Sequence, residues 1–360
     1  MIDDHNLKIP EQEYRDLAVP SYSLLASVSK QGVDVFNGVK NDFFQLKFGS
    51  LVDDICFEPS KLVNYYHGEA VKMPSGNPKT IVDEVLANIN GQIGENESEP
   101  GFALVKTRKR KISGDLNQYK TEVISAARKQ KVYEKYNEDK IFNTVYDKAN
   151  LYFSDRMKSR GKVLIKPQMW EMAIEAANTL KTHDFTKIYF EDTPGIQLIY
   201  QYKFVQIVNG IKVKGMLDCL VIDHENKTIY PVDLKTGESP VEMFDEVMLL
   251  HKYYLQASLY RTAIQQIVAN DTDLKGYSVS MFEFVYLSKM NVNKPLIWIV
   301  PEELHEAGMN GFTDRFGFKH KGINELLDMY QYNKSVGGCS YEKEVFNNEG
   351  RKFLSNLIMK

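Results

Sequence analysis

Apolar residues in the first part of the chain recur at helical spacing. Ser21 can cap a helix whose apolar face starts at Leu24. Apolar positions three and four residues apart predict a second, short and buried helix within residues 49–59 and a further helix over residues 167–182. The pattern therefore predicts a largely helical N-terminal half.

Between these helices lies a segment of different character. Residues 73–101 are rich in Gly, Pro, Asn, Ser and Glu and contain one helical island at 81–89. Residues 102–160 are strongly charged and mostly helical in pattern. We interpret residues 73–160 as a loop-rich and helical insertion within a single domain that spans residues 1–360.

The pattern changes to strands after His183. β-branched and aromatic runs alternate with turn residues, and Asn209-Gly210 is a strong signal for a two-residue hairpin. The predicted strands cover residues 188–190, 197–207, 211–222, 228–234, 277–286 and 296–300, and a long helix covers residues 244–268. This order predicts an α/β fold with a mixed central sheet flanked by helices, and residues 287–360 extend the core at its C-terminal end.

Two acidic residues interrupt neighbouring apolar strands. If the turn between the strands centres on residues 224–226, antiparallel pairing places Asp218 opposite Asp233, because partner residues keep a nearly constant sum of residue numbers. Side chains alternate along a strand, so Asp233 and Lys235 share one face. Two carboxylates and one ammonium group are therefore predicted to converge.

Two interpretations of this convergence remain open. Buried carboxylates repel one another, and a divalent cation between them would relieve the conflict. Mg²⁺ or Mn²⁺ suits oxygen ligands, and such an ion beside Lys235 is the arrangement that phosphodiester hydrolysis requires. In the alternative interpretation, Asp218 and Lys235 form a cross-strand ion pair and Asp233 is solvated.

Polar residues on two predicted helices could complete such a site. Tyr253, Gln256 and Tyr260 occur at helical spacing on the helix that follows these strands. They would either support the site or pack as a stripe with a polar edge. Asp53 stands within a short apolar helix, where an aliphatic residue would pack better, and is a candidate for a third metal ligand.

Composition places the chain among ordinary globular proteins. Hydrophobic residues make up 43% and charged residues 26% of the 360 positions, which excludes a wholly disordered chain, a collagen-like repeat and a membrane bundle. The net charge of −3 argues against indiscriminate coating of nucleic acid. The three cysteines form no Cys-x-x-Cys pair and the N-terminus lacks a signal peptide's apolar core, so we expect a reduced, cytoplasmic protein without a membrane anchor.

Taken in chain order, these motifs resemble the PD-(D/E)xK nuclease superfamily. Within it, the chain is most similar to phage and prophage exonucleases of the exodeoxyribonuclease VIII (RecE) type, and more distantly to lambda exonuclease. The matching pieces are Ser21-Tyr22-Ser23, residues 49–59, Gly161-Lys162 with the following helix, residues 210–218, residues 233–236, and Tyr253, Gln256 and Tyr260. The resemblance implies a restriction-endonuclease-like α/β core.

The resemblance also implies roles for individual residues. The implied catalytic set is Asp218, Asp233, Lys235, Gln256 and Tyr260. In this set Lys235 activates water, and the two helical residues support the site. The implied metal ligands are Asp218, Asp233 and the Leu234 carbonyl, with Asp53 as the additional candidate.

Two departures from the family pattern change the charge of the predicted site. Related nucleases usually have Gly-x-x-x-His where this chain has Gly49 and Asp53, so an anionic oxygen replaces a neutral nitrogen. A second divalent ion would be held more tightly, or Mn²⁺ would be less preferred. Relatives also often carry a Glu on the strand before the first metal-binding Asp, where this chain offers Gln197 and Gln201. Because the Asp-Asp-Lys set is complete, we expect activity to be retained.

A basic run precedes the predicted site. Its cationic residues are Lys106, Arg108, Lys109, Arg110 and Lys111. The run is either a solvated helix face or a surface that tracks DNA phosphates, and Arg160 could extend such a track. Neither interpretation offers sequence readout, so recognition of DNA backbone and ends is expected.

The residues and the resemblance together predict a function. We expect a deoxyribonuclease dependent on Mg²⁺ or Mn²⁺ that degrades linear duplex DNA from an end, 5′ to 3′ as the resemblance implies, in recombination or DNA processing. The implied partners are DNA ends, a single-strand annealing protein and further copies of the chain in a ring. Two alternatives remain: a structure-specific endonuclease, and a catalytically inactive nucleic-acid-binding protein on the same fold.

Overall fold

The structure is a computed structural model that describes residues 2–37, 47–69, 74–94, 114–159, 162–338 and 341–349. The chain divides into two compact units. The first unit comprises Met1–Phe57 and Glu175–Lys360, and the second comprises Glu58–Ile174. The predicted insertion, residues 73–160, falls within the second unit.

Helices occur in both units. In chain order they are α1 (Glu11–Asp16), α2 (Tyr22–Gln31), α3 (Lys47–Phe57), α4 (Asn77–Gly94), α5 (Lys120–Lys129), α6 (Glu138–Ser159), α7 (Pro167–Thr182), α8 (Phe244–His251), α9 (Tyr253–Asn270), α10 (Glu302–Asn310), α11 (Ile323–Ser335) and α12 (Lys343–Asn347). The helices predicted after Ser21, within residues 49–59 and over residues 167–182 are confirmed as α2, α3 and α7. The Ser21 hydroxyl accepts a hydrogen bond from the Leu24 amide at 3.4 Å, as a cap should. In the described part of the chain, no helix has both the length and the apolar character needed to cross a membrane.

A mixed sheet forms the centre of the first unit. The strands of the whole chain are β1 (Tyr65–His67), β2 (Val163–Ile165), β3 (Ile196–Val208), β4 (Ile211–Asp223), β5 (Thr228–Gly237), β6 (Ser278–Val279), β7 (Phe282–Ser288), β8 (Asn291–Val300), β9 (Phe312–Thr313) and β10 (Lys319–His320). The central sheet has the order β3-β4-β5-β7-β8, with β6 beside β5. Its pairs are antiparallel except those of β5 with β6 and β7, which are parallel. A parallel step needs a crossover, and α8 and α9 provide it. The predicted α/β fold with a mixed, helix-flanked sheet is confirmed.

Asn209 and Gly210 join β3 to β4 in the predicted hairpin. Their φ angles are 49° and 76°, the left-handed conformation that a two-residue type I′ turn requires. Val208 pairs with Ile211, and the same register continues along both strands. The turn therefore sets which side chains of β3 and β4 face each other.

The apolar core of the first unit lies between the sheet and α9. Tyr254, Leu259 and Ile264 on α9 are fully buried, and they belong to the same core cluster as Phe204 and Phe282 of the sheet. Most of α9 is buried in this way. A polar side chain on α9 therefore sits in apolar surroundings and needs a hydrogen-bond partner.

The long helix predicted over residues 244–268 is interrupted at one residue. α8 ends at His251, α9 begins at Tyr253, and Lys252 between them has a φ angle of 62°. A left-handed residue cannot continue a right-handed helix. The apolar pattern does not reveal this break because both helices bury apolar faces, so the prediction of one continuous helix is wrong.

Other predicted elements also differ from the structure, and β8 begins at Asn291 instead of residue 296. The apolar run at residues 188–190 forms a 3₁₀ turn, Lys187–Tyr189, instead of a strand. A run of three apolar residues is too short for its spacing to distinguish the two structures. The strand predicted over residues 277–286 is divided into β6 and β7, and the helical island at 81–89 is part of the longer α4.

The second unit is built mainly from helices α4, α5 and α6. Its core cluster includes Ile81, Val85, Val123 and Phe153, and β1 and β2 form a short parallel pair. Of the residues 102–160, the structure describes 114–159, and over that range the predicted helical character is confirmed by α5 and α6. The predicted DNA-binding residues Lys106, Arg108, Lys109, Arg110, Lys111 and Arg160 lie outside the described residues.

A buried lysine fastens α1 to the sheet of the first unit. The Lys214 ammonium group donates hydrogen bonds to the carbonyl oxygens of Tyr14, Arg15 and Leu17 at 3.0, 2.6 and 2.8 Å. These carbonyls lie at the C-terminal end of α1, where the helix carries partial negative charge. Lys214 therefore caps α1 from the strand beside it.

Candidate active site

The register of β4 and β5 brings Asp218 and Asp233 side by side. The ladder pairs Cys219 with Val232 and continues with the same sum of residue numbers to the turn. The next residues along the two strands are the two acids, as predicted. The Asp218 Oδ2 atom accepts a hydrogen bond from the Leu234 amide at 2.8 Å, which holds this carboxylate against β5.

Lys235 forms an ion pair with Asp233 on one face of β5. The two side chains are 17% and 3% exposed, so this pair is largely removed from water. The ammonium group also lies 4.8 Å from the ring centroid of Tyr253, a favourable cation–π distance. The alternative in which Asp218 pairs with Lys235 and Asp233 is solvated is therefore wrong.

Gln256 supports the buried acid from α9. Its Nε2 atom donates a hydrogen bond to the Asp233 Oδ1 atom at 2.7 Å. Its Oε1 atom is buried and has no hydrogen-bond partner among the described residues. The amide therefore orients the carboxylate and keeps one acceptor available at the site.

Tyr260 packs behind the two acids. Its ring makes edge-on contacts with the rings of Phe204 and Tyr22, at centroid distances of 5.5 and 6.3 Å. A side chain at Gly215 would place its Cβ atom 2.8 Å from the Tyr260 ring and even closer to Phe204. Glycine at this position therefore lets α9 approach β4 closely.

Asp53 reaches the cluster from α3. One turn before it, a Cβ atom on Gly49 would lie 2.8 Å from the Thr236 hydroxyl, so the glycine allows α3 to approach β5 closely. The half-buried Asp53 carboxyl interacts electrostatically with Asp218, Lys235 and Asp233. The Gly49-x-x-x-Asp53 spacing thus brings a third carboxyl within electrostatic range of the pair on the sheet.

Crowding of these acids changes their protonation. Burial, reinforced by repulsion from Asp233, raises the pKa of Asp218 to about 7. Burial likewise raises the pKa of Asp53, with a further contribution from Asp218, and the pKa of Asp233. Burial alone would lower the pKa of Lys235, but the surrounding anionic groups, Asp233 first, raise it overall. The site therefore combines carboxyl groups that keep their protons to a higher pH than usual with a lysine that stays protonated at neutral pH.

A glutamine on β3 faces the same acid in an unusual backbone conformation. The β3–β4 ladder pairs Tyr200 with Cys219 and Tyr202 with Leu217, and passes over Gln201. Gln201 has a φ angle of 49°, and its Nε2 atom donates a hydrogen bond to the Asp218 Oδ1 atom at 3.2 Å. Left-handed non-glycine residues within strands are rare and concentrate at functional sites.

The sequence singled out Gln197 and Gln201 together, and the structure separates them. Gln197 lies near the turn that joins β4 to β5, where its amide oxygen is 3.2 Å from the His224 ring. Gln201 belongs to the acid cluster. Tyr253 also belongs to the acid cluster, through its contact with Lys235. The predicted catalytic set omitted Tyr253, because this contact depends on how α9 packs and not on the spacing of residues along the helix.

The chemistry of the donor set fits a hard divalent cation. Asp53, Asp218 and Asp233 offer carboxylate oxygens, and their raised pKa values show that a positive charge would be favourable there. The unpartnered Gln256 oxygen adds a neutral acceptor. Within the described residues, however, no three Asp, Glu, His or Cys side chains converge closely enough to hold a metal ion as they stand.

Comparison with known proteins adds little to this geometry. No protein-family model matches the chain, and no curated protein matches it either. A crystal structure of a protein described as a "putative exonuclease" from Eubacterium rectale is similar to it, with 12% sequence identity and a TM-score of 0.42. The match covers 96% of this chain and 89% of the other.

Proposed function

We propose that this chain is a metal-dependent deoxyribonuclease that hydrolyses linear duplex DNA from an end. One observation supports the proposal above all: Asp218, Asp233 and Lys235 converge in a largely buried cluster that Gln256 holds from α9. Isolated charges are costly inside a protein, and a structural ion pair would need only two of these groups. Two acids, one lysine and an orienting amide together are the groups that phosphodiester hydrolysis uses.

Lys235 acts in this proposal as a cation. Because its pKa is raised, its side chain stays protonated at neutral pH. An ammonium group donates hydrogen bonds, so Lys235 orients the attacking water and stabilises the negative charge that develops on the phosphate. Tyr253 holds the ammonium group in place through its ring.

The acidic residues are the proposed metal ligands, and two glutamines orient them. Asp218, Asp233, the Leu234 carbonyl and Asp53 would hold the metal. When bound, a divalent cation supplies polarisation of a phosphoryl oxygen and lowers the pKa of a coordinated water. Gln256 orients Asp233, and Gln201 orients Asp218.

The finer features of the proposal rest on the family resemblance of the motifs. They are 5′ to 3′ polarity, a role in recombination or DNA processing, transfer of the exposed strand to an annealing protein, a ring of several copies, and a phosphate-tracking role for the basic run. Mg²⁺ is the proposed cofactor and Mn²⁺ its substitute.

Hydrolysis of end-labelled linear duplex in Mg²⁺ tests the proposal. The wild type should degrade it, and an Asp233→Ala variant should lose at least about a hundredfold in rate, because it lacks a proposed metal ligand, and even residues that only support such ligands contribute about tenfold to a hundredfold. Covalently closed circular DNA of the same sequence should stay intact. Equal degradation by both proteins would refute the proposal, and cleavage of the circle would favour the structure-specific endonuclease.

A second candidate function is nucleic-acid binding without catalysis. It is favoured by Asp53 and Gln201, which depart from the family pattern. In that case no metal should support hydrolysis, and an Asp218→Asn variant should bind DNA as tightly as the wild type.

A further inference from the structure

A short hairpin in the first unit projects two aromatic side chains. We call residues 312–320 the aromatic hairpin; β9 and β10 form its stem, with Phe312 paired to His320. At its tip, Phe316 and Phe318 are 67% and 68% exposed. Large apolar side chains with such high exposure in an ordered turn indicate an interaction surface.

The tip is built around Asp314. Its Oδ1 atom accepts hydrogen bonds from the backbone amides of Phe316 and Phe318, both at 2.9 Å. Its backbone amide donates to the Phe318 carbonyl at 2.9 Å, and Gly317 supplies the left-handed residue of the turn at φ 86°. The phenylalanine rings are therefore presented by a preorganised backbone, which lowers the entropy cost of binding.

The charge of the hairpin favours an anionic partner. The Asp314 Oδ2 atom accepts a hydrogen bond from the His320 ring at 2.9 Å, so the negative charge of Asp314 is paired within the hairpin. Arg315 and Lys319 flank the tip and are exposed. The Arg315 guanidinium lies 4.9 Å from the Phe316 ring centroid. Aromatic faces combined with cations are the two elements that bind single-stranded nucleic acid without sequence preference.

Lys252, the N-cap of α9, contacts the hairpin, and Tyr253, the first residue of α9, contacts the candidate active site. The Lys252 ammonium group donates a hydrogen bond to His320 Nδ1 at 3.1 Å. The next residue, Tyr253, has its ring 4.8 Å from the Lys235 ammonium group. The base of the hairpin and the catalytic lysine are therefore held by consecutive residues.

We infer that the aromatic hairpin stacks on unpaired bases of the DNA strand that occupies the candidate active site, with Arg315 contacting its phosphates. The choice of DNA as the occupant rests on the proposed function. Base stacking on Phe316 and Phe318 needs only a π-face, so it serves a nuclease that acts on any sequence.

Binding of single strands with and without bases tests this inference. Fluorescence anisotropy would compare a labelled oligonucleotide with an abasic strand of the same length, using the full chain in EDTA. The wild type should prefer the strand with bases. A double variant with Phe316→Ala and Phe318→Ala should bind that strand at least about fivefold more weakly, because stacking of one base on an aromatic ring contributes about that factor to the affinity. Its affinity for the abasic strand should not change.

Matched variants separate stacking from other effects. Phe316→Trp with Phe318→Trp should retain the preference for bases, because the aromatic faces remain. Phe185, which is 62% exposed elsewhere in the first unit, provides the control, and Phe185→Ala should bind as the wild type does. Loss of affinity for both strands alike, or a change of oligomeric mass in the hairpin variant, would overturn the inference, the latter in favour of a contact between copies.

The outcomes for the two proposals are distinguishable. Hydrolysis of duplex by a wild type that shows no preference for bases would refute stacking and leave the nuclease proposal standing. Base-dependent binding without hydrolysis in any metal would refute the nuclease proposal and support stacking.

Discussion

The side-chain amide of Gln256 donates a 2.7 Å hydrogen bond to Asp233, the acid that also pairs with Lys235. Asp233 lies on β5 and Gln256 lies on α9, separated by 23 residues. This bond couples the packing of the central helix to the orientation of the buried carboxylate. The candidate site therefore depends on the core of the first unit as much as on its own residues.

Removing this bond should impair hydrolysis. We expect Gln256→Leu to lower the rate roughly tenfold to a hundredfold, because a hydrogen bond to a charged group contributes about 1.5–3 kcal/mol. Gln265→Leu, on the same helix, is the matched control and should retain the wild-type rate. Initial rates on end-labelled duplex, with circular dichroism to check folding, measure the effect. An unchanged rate in Gln256→Leu would show that α9 does not position Asp233 for catalysis.

The stability of the metal-free protein should fall as pH rises through neutrality. The pKa of Asp218 is about 7 in the folded protein against an ordinary 3.8, so the folded state binds more protons than the unfolded state between these values. Each pH unit in that window then costs up to about 1.4 kcal/mol of unfolding free energy. Thermal unfolding from pH 4 to pH 8 in EDTA should show this decline.

Asp218→Asn should flatten that decline and be the more stable protein at pH 8, because it removes one buried charge while keeping an oxygen acceptor for the Leu234 amide. Asp223→Asn, at the exposed end of the same strand, should keep the wild-type slope, since hydrogen bonds lower the pKa of Asp223 instead of raising it. Equal slopes in all three proteins would contradict the assigned protonation of Asp218.

Divalent metal should stabilise the wild type independently of any activity. At a Mg²⁺ concentration about 100 times its dissociation constant, binding to the folded state adds about 2.7 kcal/mol to the free energy of unfolding. We expect a higher melting temperature at pH 8 in Mg²⁺, a smaller shift in Asp53→Asn, and none in Asp233→Asn. Asp245→Asn, outside the cluster, should respond as the wild type does. A full shift in Asp233→Asn would place the metal elsewhere.

Lys214 should contribute to stability and not to chemistry. Its ammonium group is the shared donor to three carbonyl oxygens at the end of α1. We expect Lys214→Met to lower the free energy of unfolding by about 2 kcal/mol or more, because buried acceptors lose a charged donor. Lys212→Met, an exposed position on the same strand, should have almost no effect. Urea unfolding measures both, and equal stabilities would show that water replaces the lysine at no cost.

Local sequence patterns were sufficient for the elements that depend on neighbouring residues. The Asn209-Gly210 turn predicts its own hairpin because only a left-handed pair closes two twisted strands so tightly. The short turn between β4 and β5 predicts the pairing that brings Asp218 to Asp233, because an antiparallel register follows from the turn. Helical spacing predicted α7 with its observed bounds for the same local reason.

Other features depend on residues that are distant along the chain. The break at Lys252, the positive φ angle of Gln201 and the 3₁₀ turn at residues 187–189 have no local signal, because each conformation is stabilised by what packs against it. The aromatic hairpin is likewise not predicted, since none of the sequence motifs covers residues 312–320.

Short-range patterns are therefore sufficient to predict the fold class and the pairing of the two acids on adjacent strands, because turns and alternation depend on neighbouring residues. The sequence marks Gln256 and Asp53 as candidates, but the Gln256–Asp233 hydrogen bond, the contact of Tyr253 with Lys235 and the burial of the Lys235–Asp233 pair follow from long-range packing. Those contacts depend on how closely α9 and α3 pack against the sheet. Gly215 and Gly49 permit that close approach, but it is driven by burial of the whole apolar core.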